Sequence, residues 1–123
     1  ARGTMAGTGA STNIVAGATL DILTASGGFD WNTLDGRRLN NAGTVTWAAN
    51  LAILRLKDGA EFNNLAGGLF LINNQASAYQ REVQSVGVLP TAINNAGMII
   101  KSIDTSFSCS GVTFNNSAAT WAG

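Results

Sequence analysis

Histidine is absent from the 123 residues, cysteine and proline occur once each, and only 11% of the chain is charged. Each shortage removes a class of chemistry. Without imidazole the usual general base and the commonest metal ligand are missing. One cysteine, Cys109, makes no internal disulfide and no zinc cluster, and it has no histidine to activate it as a nucleophile. Seven Lys and Arg offset seven Asp and Glu, so there is no basic excess for nucleic acid or an anionic membrane. No apolar run approaches the roughly 18 residues of a membrane span. The beginning, Ala1-Arg2-Gly3-Thr4, shows no initiator methionine and no signal-peptide pattern, and is read as a processed form or an excised piece.

What the chain does have is repetition. Glycine occurs 15 times, 46% of residues are hydrophobic, and asparagine recurs in adjacent pairs. The pairs are Asn40-Asn41, Asn63-Asn64, Asn73-Asn74, Asn94-Asn95 and Asn115-Asn116. Four share a frame of a turn residue, two variable residues, one large apolar anchor and then the pair. The anchors are Leu39, Phe62, Ile93 and Phe114, with Leu20 read as a degenerate first copy in Gly17-Ala18-Thr19-Leu20-Asp21-Ile22. Their spacings are 19, 23, 31 and 21 residues. The long interval holds a polar stretch, about 73–84, with Gln75, Ser77, Tyr79, Gln80, Arg81 and Glu82, read as an inserted loop.

Between anchors the hydrophobic period is 2, as in Thr44-Val45-Thr46-Trp47 and Ala52-Ile53-Leu54-Arg55-Leu56-Lys57. A repeat near 21 residues with two or three short strands buries its apolar face only against copies of itself. The expectation is an all-β chain forming a right-handed parallel β-helix, or β-solenoid, of about five coils with one inserted loop. It would occupy 1–123 as a single domain or section. A β-sandwich or jelly roll is the alternative, since it also has short alternating strands. In the solenoid the anchors form a core column. The pairs Asn40, Asn41, Asn63, Asn64, Asn94, Asn95, Asn115 and Asn116 tolerate corner conformations and hydrogen-bond into ladders. Trp47 and Cys109 are expected inside.

The segments Asp35-Gly36-Arg37-Arg38-Leu39-Asn40-Asn41-Ala42-Gly43-Thr44-Val45-Thr46-Trp47 and Lys57-Asp58-Gly59-Ala60-Glu61-Phe62-Asn63-Asn64 resemble the NNAGT and GATFNN repeats of large secreted bacterial surface and adhesin-like proteins. Those proteins have right-handed β-helix regions similar in style to autotransporter and filamentous-haemagglutinin repeats. The resemblance runs from about residue 35 to 121 and brings no catalytic residues with it. It implies an extracellular or cell-surface location.

The carboxylates Asp35 and Asp58 each precede a repeat glycine and are expected to stack on one corner near Arg37 and Glu61. They are read as solvated turn residues, with a sugar-cleaving or calcium-binding patch as the alternative. Trp31, Tyr79 and Arg81 are the candidates for a ligand-binding surface. The expected function is structural, a stalk, spacer or self-assembling filament subunit that associates through its end coils or through neighbouring repeats of a longer chain. An adhesin-type module binding a glycan or partner is the second reading, and a polysaccharide-active enzyme the third. No catalytic role, cofactor, metal, nucleic acid or membrane span is expected.

Overall fold

The computed structural model describes residues 3–22, 30–47, 52–72, 81–101 and 107–117. Their alternating sequences become fourteen short strands and no helix among the described residues. The first turn comprises β1 (Gly3–Ala6), β2 (Ser11–Ile14) and β3 (Thr19–Ile22). The second comprises β4 (Asp30–Asp35), β5 (Arg38–Asn41) and β6 (Thr44–Trp47). The third comprises β7 (Ala52–Lys57), β8 (Glu61–Asn64) and β9 (Leu69–Ile72). The fourth comprises β10 (Arg81–Val86), β11 (Ala92–Asn95) and β12 (Met98–Lys101), and the fifth β13 (Phe107–Ser110) and β14 (Thr113–Asn116).

Every strand pairs with its equivalent in a neighbouring turn, and every pairing is parallel. Three sheets result, in the orders β1-β4-β7-β10-β13, β2-β5-β8-β11-β14 and β3-β6-β9-β12. This is a parallel β-solenoid and excludes the sandwich, whose hairpin-linked strands run antiparallel. Among the described residues it has four three-strand turns and a two-strand fifth, slightly short of five whole coils.

The anchors stack as expected: Leu39 on Phe62, Phe62 on Ile93, and Ile93 on Phe114. Around this column Val45, Trp47, Leu56, Phe70, Ile72, Val83 and Ile99 are buried. The Trp47 and Phe70 rings stack at 6.5 Å, and Phe62 meets Phe70 edge-on at 4.8 Å.

Three expectations are corrected. Leu20 does not join the anchor column. It is in register with Val45, while Thr12 is in register with Leu39. The true first copy is Gly9-Ala10-Ser11-Thr12-Asn13, concealed because a hydroxyl residue replaces the large anchor. The loop expected at 73–84 is too long at its end, since Arg81–Gln84 belongs to β10. Polar residues alternate there with a single apolar one, Val83, which is fully buried on Leu54. The rest of that stretch, Asn73-Asn74 included, lies outside the described residues. Cys109 is exposed, although it is in register with the buried Val83. Its strand phase is inward, but no further described turn covers it.

The corner between the second and third sheets explains its glycines. The amide of Thr44 donates to Ala18 O in the turn below, and those of Leu69 and Met98 repeat this with Gly43 O and Gly68 O. A Cβ added at Gly43 would collide with Ala18 O and Val15 O, and one at Gly97 with Gly68 O and Leu65 O. The turns approach so closely that only hydrogen fits.

Candidate functional site

Two amide ladders run up the second sheet. In the outer one, Nδ2 of Asn40 donates to Asn13 Oδ1 at 2.9 Å, Asn63 to Asn40 at 2.8 Å, Asn94 to Asn63 at 2.8 Å and Asn115 to Asn94 at 2.8 Å. In the inner one, Nδ2 of Asn41 donates to Asn64 Oδ1 at 2.8 Å, Asn64 to Asn95 at 2.7 Å and Asn95 to Asn116 at 2.9 Å. The outer amides therefore donate toward the first turn and the inner amides toward the fifth.

The inner direction has a local cause. Nδ2 of Asn41 also reaches Leu69 O at 2.9 Å, and that of Asn64 reaches Met98 O at 3.0 Å. Gly43 N donates to Asn41 Oδ1 at 3.1 Å. Backbone carbonyls of the next turn thus surround each nitrogen, and the amide orients its hydrogens toward them. Asn41, Asn64 and Asn95 are fully buried, so each depends on these bonds.

The corner between the first and second sheets gathers the charges. Asp35 is in register with Lys57 rather than with Asp58. The third-turn corner carries one more residue, Asp58, in the left-handed region at φ 47°. Asp35 and Asp58 consequently converge on Lys57 Nζ, at 3.0 and 3.8 Å, instead of stacking on each other. The hydrogen bond to Asp35, followed by that residue's charge, raises the Lys57 pKa above its ordinary 10.5. Asp58 Oδ1 accepts from Val88 N at 2.9 Å. Arg37 turns away from this cluster to Thr12 Oγ1 at 2.7 Å, Ala6 O at 3.0 Å and Ser11 O at 3.1 Å, fastening the second turn to the first. Arg38 is the residue that pairs with Glu61, at 3.4 Å. These carboxylates are engaged by a lysine and by backbone, an arrangement that supports corner bracing.

Of the ligand-surface candidates, Trp31 lies in β4 in register with Ile53, which in turn is in register with Glu82. Arg81 begins β10 in register with Phe107, one residue before Glu82, so Trp31 and Arg81 fall in different columns. Tyr79 lies outside the described residues. Cys109 sits at the open end, where partial burial and then the Glu82 charge push its thiol pKa above 9.0. Among the described residues no group of three His, Cys, Asp or Glu is placed to hold a metal ion, and no helix is long and apolar enough to cross a membrane.

Two residues of note escaped the sequence reading. Asn13 starts the outer ladder, and the Gly9–Asn13 frame would have revealed it. Asn32 occupies the inward column in register with Gly3 and Leu54. Strand alternation of Asn32 with Leu34 was its signal. Comparison with known proteins finds no family model, no curated protein and no solved structure that matches the chain.

Proposed function

We propose that the chain is a structural β-solenoid module, a stalk or spacer displayed outside a bacterial cell. The observation that carries this reading is the use of nine asparagines in two ladders that continue from turn to turn. Side chains spent on holding turns in register serve length and stiffness. Successive turns rise by about 4.8 Å, so the first and fifth are about 20 Å apart. Right-handed winding belongs to the same proposal, since parallel crossovers take that hand almost always. The repeat frame's resemblance to bacterial surface repeats supports the location.

Spacer is favoured over filament by the side chains of the first and last described turns. A second copy stacked in register would let Asn13 Nδ2 donate to Asn115 Oδ1. It would also set Ile14 opposite Asn116, whose Nδ2 would then have no side-chain acceptor to continue the inner ladder. Ala18 stands at the corner position that Gly43 holds in the turn above. Light scattering from micromolar to millimolar concentration tests this. A monomer throughout is expected, and concentration-dependent fibres in electron micrographs would replace the spacer with the filament. Specific binding on a glycan array would move the adhesin reading ahead of both.

A further inference from the structure

The most persistent position of the repeat is an outward one. Along the second sheet one outward column reads Asn13, Asn40, Asn63, Asn94 and Asn115, asparagine in every turn. The outward column beside it reads Ser11, Arg38, Glu61, Ala92 and Thr113, so the same face accepts very different residues there. The first turn sharpens the contrast. Thr12 replaces the apolar anchor and Ile14 replaces the inner asparagine, yet Asn13 between them is kept. Buried anchors contribute more to stability than accessible amides do, so a repeat maintained for folding alone would lose Asn13 first.

A side-chain amide has two N–H donors and an oxygen with two lone pairs. Within the ladder Asn40, Asn63 and Asn94 each donate once and accept once. Each therefore keeps one donor and one acceptor, and all three are only partly buried. The face offers an unbroken row of donor–acceptor pairs at intervals of about 4.8 Å, about 19 Å long in all. Arg38 and Glu61 are the only charges among its outward side chains, and they pair with each other at 3.4 Å. A matching surface is neutral, presents a donor and an acceptor at each step, and has the same repeat. Columns of hydrogen-bonded amides meet these conditions, because N–H to O=C stacking sets that repeat whatever molecule carries the amide. We propose that this face binds side-on to an N-acetylated polysaccharide lattice of the chitin type, whose acetamido groups stack in such columns, with the outer asparagines aligned along one column. Single contacts are weak, and the row makes them add.

Partition of the full chain onto crystalline chitin powder tests the proposal. Retention is expected on chitin and not on crystalline cellulose, which has the same β-linked backbone without acetamido groups. Removing the acetyl groups from the chitin should release the chain. A soluble hexamer of N-acetylglucosamine, a single chain with no stacked column, should not displace it. Asn40→Ala, Asn63→Ala and Asn94→Ala should each weaken the partition about tenfold, the worth of two lost hydrogen bonds. Thr46→Ala, on the outer face of the third sheet, should leave it unchanged. The comparison of chitin, deacetylated chitin and cellulose uses the unmutated chain, so it stands even if a variant fails to fold. No retention on chitin, equal retention on cellulose, displacement by the hexamer, or folded asparagine variants that bind as the unmutated chain does would each overturn the proposal.

Discussion

The middle turns and the end turns are built on one repeat, yet they bury it very differently. In the anchor column Phe62 is 2% exposed and Ile93 0%. Phe114 occupies the same position in the fifth turn and is only partly buried, as are Leu20 and Ile22 in the first. The inner ladder shows the same contrast, since Asn64 is buried between two amides and Asn116 is exposed with one. The strand phase is the same at each of these places. Burial in a stacked fold therefore comes from the neighbouring turns, and a residue's own alternation decides only which way it faces.

The sharpest way to break this comparison is truncation along the anchor column. Phe62→Ala should cost about 3–5 kcal/mol in denaturant unfolding, as large-to-small core changes do. Phe114→Ala should cost less than half of that, because one side of the ring already meets solvent. Equal losses would mean that the end turn is covered as fully as the middle.

Asparagine truncation sharpens it further. Asn64→Ala leaves Asn95 Oδ1 and Met98 O without their donor in a buried site, and should cost about 2–3 kcal/mol. Asn63→Ala acts on the more accessible outer ladder, where water replaces the lost partner, and should stay near 1 kcal/mol. Chemical denaturation of the two variants measures the difference, and a reversed order would contradict the division into inner and outer ladders.

The smallest expected effect belongs to the corner ion pair. Lys57 has a raised pKa in the folded state, so the charged form is favoured by folding. Its contribution is fully present below the ordinary value of 10.5 and is lost as the pH rises through the folded value. A thermal melt followed from pH 9 to 12 should show a shallow decline that Lys57→Met removes. The side chains are partly exposed, so the shift will be slight.

Much of the fold was legible because the signals are local. Period-2 alternation, a turn glycine and an asparagine pair all lie within about eight residues, and a parallel solenoid is the architecture that uses them repeatedly. The same locality produced the errors. Gly17-Ala18-Thr19-Leu20 satisfies the frame up to its anchor, and only pairing of Thr12 with Leu39 shows which strand opens the second sheet. The one-residue difference between the Asp35 and Asp58 corners is likewise invisible until strands 22 residues apart are aligned.

What the sequence determined by itself was the strand class, the inside and outside of each strand, and the asparagine positions, since backbone sterics and side-chain period act over a few residues. The tertiary structure decided the rest. It set the opposed directions of the ladders, the convergence of two aspartates on Lys57 and the exposure of Cys109. Each depends on which residue sits one turn above or below, and that neighbour is 21 to 31 residues away in the anchor column from Leu39 to Phe114.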